Sequence, residues 1–313
     1  MIVVAGSLSF DFIMNFPGYF KDQILPEKIH ILNLSFLTEK LNKNFGGTAA
    51  NIAYNLALLG EKPSILAPAG KDFREYKRFL DKSNINTQYI KVYRNDFTSN
   101  YFAIVDKSDN QIGGFYAGAM SKTVNLSLRK IEESIGFVVI TPTEPKAMVK
   151  FAKECQELKI PYLFDPGMQL PRLTKNQVLD GVNGAKILIG NDYEISLLQK
   201  KIDWDKKKIL SKVKIVVTTL AGKGSLIETK NKRLRVMVAK PRNISDPVGA
   251  GDAYRAGFVL GFLKGFDLKT CGQMGSVTAA YTVEKYGTTT HRFTKKQFCV
   301  RYKKNFGKEL KLC

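Results

Sequence analysis

Six short apolar runs, at residues 2–6, 64–69, 137–141, 160–165, 185–190 and 215–220, recur along the chain with helix-forming or turn-forming stretches between them. Runs of four to eight apolar residues bounded by turn residues read as strands buried on both faces. Strands that alternate with helices imply a parallel sheet with helices on both sides, because each parallel crossover must return over one face. The 313 residues, 44% of them hydrophobic, are enough for one large domain of this kind. No internal repeat or low-complexity linker divides them. Helical periodicity predicts helices over 73–82, 147–158, 267–285 and 294–305, and 88–93 reads as a further strand. Residues 99–106 and 110–117 alternate apolar and polar, with Asp109-Asn110 placed for a hairpin turn, and 225–238 reads as a second hairpin. Residues 12–45 are aromatic and mixed. Alternation near 29–34 predicts short strands standing off the main sheet.

Two glycine-rich helix starts stand out. The first is Phe45-Gly46-Gly47-Thr48-Ala49-Ala50-Asn51, which runs into a small-residue helix closed by Gly60. Asn51 falls one turn in, on the face of Gly47. Close backbone approach plus an amide suits a polyhydroxylated ligand; tight helix–sheet packing is the alternative. The second is Asp246-Pro247-Val248-Gly249-Ala250-Gly251-Asp252, followed by an apolar run at helical spacing. Unpaired N–H groups and the positive dipole end at a helix N-terminus form an anion site, and glycine lets the anion come close. Asp252 falls in the first turn. A carboxylate beside a bound phosphate makes chemical sense if it takes a proton from an attacking hydroxyl. The alternative is an Asp that complements the helix dipole.

Three further positions carry candidate chemistry. Asp11, in Ser7-Leu8-Ser9-Phe10-Asp11, lies just past the first strand, at the carboxyl edge where α/β sheets bind ligands, or else in a surface turn. Asn191 and Glu194 sit one turn apart at a helix start. They suit a hydrated Mg²⁺, which keeps several waters, and equally a capping box. The strand at 215–220 runs into Ala221-Gly222-Lys223-Gly224-Ser225, and Gly222-Lys223-Gly224-Ser225 resembles a piece of a Walker loop. The upstream glycine is missing and no helix follows, so this is not a P-loop; a glycine turn at a strand edge still lets a nucleotide approach.

The formal charge of +21, from 49 Lys and Arg against 28 Asp and Glu, raises the question of a polyanionic partner. The basic residues are scattered rather than gathered on an arm, which argues for solvated helices over a nucleic-acid surface. No apolar run is long enough to span a bilayer, and the start reads as a strand rather than a signal peptide. The four cysteines, Cys155, Cys271, Cys299 and Cys313, lack metal-like spacing and are expected as reduced thiols in a cytoplasmic protein.

Taken together, Gly46-Gly47 with Asn51, Asn191 with Glu194, Thr219 to Gly224, and Asp246 to Asp252 occur in the order and spacing of the ribokinase-like (PfkB-type) sugar and nucleoside kinases. The resemblance covers essentially the whole chain. Within that family the likeness is best to bacterial adenosine kinases, through 45–55, Asp252-Ala253-Tyr254-Arg255-Ala256-Gly257 and 286–294; Pro247 stands where many relatives have Thr. The resemblance implies an α/β/α sandwich with a mostly parallel sheet and a small β-sheet lid, built from about 12–45 and 95–118. It implies ATP-dependent phosphorylation of a nucleoside 5′-hydroxyl, adenosine first, with another nucleoside or a sugar as runner-up. A basic nucleic-acid-binding protein and a ligand-sensing family member are the non-enzymatic alternatives. Ser7, Asp11, Gly46, Gly47 and Asn51 would hold the acceptor. Asp252 would be the general base, and Gly249, Ala250 and Gly251 the anion hole. Asn191, Thr219, Gly222, Gly224 and Arg255 would line the ATP site, with Asn191 and Glu194 ordering Mg²⁺ through water. For Arg255 a solvent-facing position is the alternative to a phosphate contact. Phe102, Phe115 and Tyr116 on the lid strands are candidates for base stacking, with lid packing as the alternative. The family implies a monomer or a lid-mediated homodimer, with no membrane or specific nucleic acid as partner.

Overall fold

The computed structural model describes residues 1–312; Cys313 lies outside the described residues. Seven parallel strands form the body of a nine-stranded sheet in the order β13-β12-β11-β10-β9-β8-β1-β4-β5. They are β1 (Ile2–Ala5), β4 (Ser64–Gly70), β5 (Ile90–Tyr93), β8 (Phe137–Ile140), β9 (Tyr162–Phe164), β10 (Ile187–Asn191) and β11 (Ile215–Thr219). The sheet ends in an antiparallel hairpin, β12 (Ser225–Glu228) and β13 (Arg233–Val236). Its first strand shows why it is central: all four residues of β1 are buried. Ile2 and Val4 pack into one helical layer and Val3 and Ala5 into the other.

One layer holds α1 (Thr48–Leu58), α2 (Phe73–Lys82), α7 (Ala250–Leu263), α8 (Leu268–Val283) and α9 (Lys295–Phe306). The other holds α3 (Pro145–Glu157), α4 (Lys175–Val182), α5 (Asp192–Ile202) and α6 (Lys206–Lys212). The helices α1 and α7 start at the two glycine motifs and pack beside each other. Two motifs 200 residues apart are thereby brought to one edge of the sheet. None of the helices among the described residues is long and apolar enough to cross a membrane.

A second, four-stranded sheet stands apart, in the order β3-β2-β6-β7. It consists of β2 (Ser9–Asn15), β3 (Lys40–Gly46), β6 (Ser99–Val105) and β7 (Gln111–Tyr116). The expected strands near 29–34 are absent. That segment begins as a 3₁₀ turn at 26–31, opened by Pro26, and continues without regular structure to residue 38. Alternation there has no neighbouring strand to pair with, so the pattern leaves Ile29, Ile31, Leu32 and Leu37 exposed. The hairpin between β6 and β7 does form. Asp109 takes a left-handed φ of 61°, and the Asp106 carboxylate gathers the N–H groups of Phe20, Ser108 and Asn110.

Cross-strand register sorts the lid side chains by face, because directly paired residues point the same way. Asp11 pairs with Asn44 and Tyr101, and Tyr101 with Phe115. Phe12 pairs with Lys43 and Phe102, and Asn100 with Tyr116. Phe115 therefore shares a face with Asp11, whereas Phe102 and Tyr116 lie on the opposite face. There Phe102 stacks on Phe12 with centroids 5.0 Å apart.

Candidate active site

Gly249 caps α7 with φ 79°, a left-handed value that a side chain would strain. The cap turns the chain so that Gly251 and Asp252 enter the first helical turn, where backbone N–H groups lack intrahelical partners. Asp246 holds the approach to this loop. Its carboxylate accepts from Val248 N at 2.9 Å and from Gly287 N at 3.0 Å. Pro247 leaves this arrangement intact, and its carbonyl accepts from Ala250 N at 3.3 Å.

From the other motif, Asn51 on α1 donates from Nδ2 to Asp252 Oδ2 at 2.8 Å. Asn51 Oδ1 is buried without a partner among the described residues. An unpaired buried amide oxygen is unfavourable unless a ligand completes it. Asp252 lines the cleft, and burial pushes its carboxyl up to about 6, against the opposing effects of Arg255 and the Asn51 hydrogen bond. Asp11 also rises to about 6 by burial, with Ser9 donating to it at 3.0 Å and Asp246 adding repulsion. A Cβ at Gly46 would overlap the Asp11 carboxylate, so a side chain there would displace it. The Gly46 carbonyl takes the hydroxyl of the buried Tyr76, while Thr288 and Thr289 donate to Phe45 O at 3.2 and 3.1 Å. Lid strand β3 is thus tied to the segment beside Gly249.

Ser7 sits between the end of β1 and the start of α1. Its hydroxyl lies 3.1 Å from Thr48 Oγ1 and accepts from Thr48 N at 3.2 Å, which pins the start of α1 to the end of β1.

A cleft of about 710 Å³ opens beside the loop, lined by Gly249, Ala250, Gly251, Asp252, Asn191, Glu194, Thr219, Gly222 and Gly224 among others. The chain continues from Gly224 into β12, with no helix following. Asn191 and Glu194 form a full capping box: Asn191 Oδ1 accepts from Glu194 N, and Glu194 Oε2 from Asn191 N, both at 2.7 Å. Both readings of this pair therefore remain compatible. The cap uses one Glu194 oxygen, and the residue still lines the cleft. Burial, then Asp165, raises its carboxyl. One spare carboxylate oxygen suits a cation that keeps most of its water shell, as Mg²⁺ does. Among the described residues no cluster of three or more His, Cys, Asp or Glu forms a protein-only metal cage.

Arg255 is neither a surface residue nor free. It is buried, with Nη2 donating to Asp165 Oδ1 at 2.9 Å and Nε 2.5 Å from Oδ2. Asp165, at the end of β9, went unassigned in the sequence. Its signal was the one that marked Asp11, a carboxylate just beyond a parallel strand.

A ribokinase-type sandwich with a glycine-capped helix start, a carboxylate in its first turn and a small separate sheet belongs to a class of phosphotransferases. The model of the pfkB family of carbohydrate kinases matches residues 3–295, and the chain belongs to that family as an ATP-dependent phosphotransferase. It is 31% identical over 292 residues to a nucleoside kinase of Methanocaldococcus jannaschii, covering 93% of this chain and 92% of that one. It is 24% identical to a cytidine kinase of Thermococcus kodakarensis, covering 77% and 88%. The structure of a Burkholderia thailandensis nucleoside kinase in complex with inosine superposes with a TM-score of 0.89 at 29% identity, covering 99% of both chains.

Proposed function

We propose that this protein phosphorylates the 5′-hydroxyl of a nucleoside from ATP, with adenosine as the preferred acceptor. The observation that carries this reading is Asn51. One side of its amide holds Asp252, and the other presents a buried oxygen lacking a partner. A hydroxylated acceptor supplies the missing donor at the point where a general base is already aimed.

In this reading Asp11, Gly46, Gly47 and Asn51 bind the ribose hydroxyls, and Ser7 supports them through Thr48. Asp252 accepts the proton of the 5′-hydroxyl as that oxygen bonds to the γ-phosphorus of ATP and the bond to the β-γ bridging oxygen breaks, releasing ADP. Gly249, Ala250 and Gly251 stabilise the charge on the transferring phosphoryl group through backbone N–H groups and the α7 dipole. Thr219, Gly222, Gly224 and Asn191 line the nucleotide side, with Arg255 at its inner wall. Asn191 and Glu194 would hold Mg²⁺ through water, and that ion would neutralise phosphate charge. Phe115, on the Asp11 face of the lid and half exposed, is suited to cover a flat base.

Inosine is the second reading for the acceptor, supported by the ligand of the Burkholderia relative. The test is ADP formation from Mg·ATP with adenosine, inosine, guanosine, cytidine, ribose and fructose in parallel. Turnover preferring adenosine supports the full proposal, and turnover preferring inosine or cytidine reassigns the base pocket. Turnover on ribose or fructose alone overturns the nucleoside reading.

A further inference from the structure

The protein carries a charge of +21, yet the walls of its phosphate cleft are acidic. Asp165, Glu194 and Asp252 line the cleft, and among the described residues lining it Arg255 is the single Lys, Arg or His. Its position follows from helix geometry. Arg255 is four residues beyond Gly251, and long side chains on a helix run back toward the N-terminus. The guanidinium therefore lies over Gly251, where a Cβ would come within 2.7 Å of Arg255 Nη1. Nη2 donates to Asp165 Oδ1 and Nε lies 2.5 Å from Oδ2 without hydrogen-bond geometry, so one hydrogen bond and a close ion pair hold the buried group in place.

We infer that Arg255, clamped by Asp165, is a positioning residue for phosphoryl transfer: it is a fixed cation beside the anion loop, the single one among the described residues lining the cleft, and it sets the placement of Gly251 beneath the transferring group. The inference rests on the phosphotransfer reading of this cleft. It assigns Asp165 a role through Arg255 rather than through substrate, and it gives Gly251 a reason to lack a side chain apart from anion access. A fixed cation inside a water-poor site needs no reorganisation during transfer, the condition under which such charges act most strongly.

The test separates this role from simple stability. Replacing a buried ion pair by apolar residues of similar volume preserves folding in many proteins, whereas removing one partner does not. The double variant R255M/D165L is therefore compared with wild type for thermal melting, nucleoside affinity and steady-state kinetics on the best acceptor found. The expected result is a folded protein with nucleoside affinity within threefold of wild type and kcat reduced about 100-fold. A folded double variant with kcat within threefold of wild type overturns the inference, because the pair is then structural only. Should the double variant not fold, R255K and R255Q, each with Asp165 intact, decide the matter. Lysine keeps the charge and is expected to hold kcat about tenfold above glutamine; equal values overturn the inference. Wild-type protein is the control throughout. Its failure to use any acceptor counts against the phosphotransfer reading rather than against the role of Arg255.

Discussion

Asn51 Nδ2 donates to Asp252 Oδ2 at 2.8 Å across 201 positions of sequence. This bond joins the two glycine motifs and fixes which carboxylate oxygen is left open to the cleft. It also favours the ionised form of Asp252. Removing it with Asn51→Ala is expected to raise the apparent acidic pKa of turnover and to lower kcat about tenfold or more. A pH profile of kcat superimposable on that of wild type would show that Asn51 has no hold on the base.

Activity should fall on the acid side through two groups. Asp252 and Asp11 are both pushed up to about 6 by burial, and the reading needs both ionised in the free enzyme. The profile of kcat/KM is therefore expected to rise with pH to a plateau above about 6, with a log–log slope approaching two below it. A slope that stays at one points to a single ionising group.

The same burial makes a stability prediction. Asp252 has a folded pKa above its unfolded value of 3.8, so the folded form binds more protons between about 4 and 6. Stability from this group is then present at low pH and is lost as pH rises through about 6. Asp252→Asn, which removes the buried charge, is expected to raise neutral-pH stability by about 1–3 kcal/mol. Urea denaturation at pH 7 checks this, and a destabilised variant contradicts it.

His291 carries the opposite sign. It is buried, Nε2 lies 2.9 Å from Asn55 Oδ1, and burial lowers its pKa to about 4. The unfolded chain takes up this proton below about 6.5 and the folded chain does not, so stability drops as pH falls from 6.5 toward 4. His291→Gln cannot titrate there. The stability of wild type relative to this variant is expected to decline over that window by up to about 3 kcal/mol, measured by paired urea curves. A constant difference removes His291 as the acid-sensitive group.

The lid makes a paired prediction. Phe115 shares the Asp11 face and Phe102 the opposite one. Phe115→Ala should raise the nucleoside KM about tenfold, in line with the loss of one stacking contact. Phe102→Ala should leave it within about threefold. Equal effects would show that the register does not decide which ring meets the base.

Much of this was legible in the sequence, for identifiable reasons. The six apolar runs became buried strands because parallel strands between two helical layers have no polar face to show. The α7 start was readable because glycines before an apolar helical run leave few other structures. The pattern at 29–34 misled because alternation specifies a strand only when a partner edge is present. Two short helices, α4 and α6, carry marked starts but no readable periodicity. Thr174 with Gln177 forms a capping box, and Asp205 caps α6. Neither stretch is long enough for periodicity to show. The pairing of Arg255 with Asp165 joins residues 90 positions apart in two elements, and no local pattern encodes that register. Ser7, placed on the acceptor by the family resemblance alone, has its hydroxyl against Thr48, a contact across 41 positions that no local pattern encodes.

The central claim is that Asp252 is the proton acceptor in phosphoryl transfer. The most direct measurement is single-turnover formation of nucleoside 5′-phosphate by Asp252→Asn against wild type, with nucleoside affinity measured on the same samples. The account predicts a loss of at least about a thousandfold in rate, with affinity within a few fold of wild type. A variant that transfers the phosphoryl group at near-normal rate while binding nucleoside normally would contradict it.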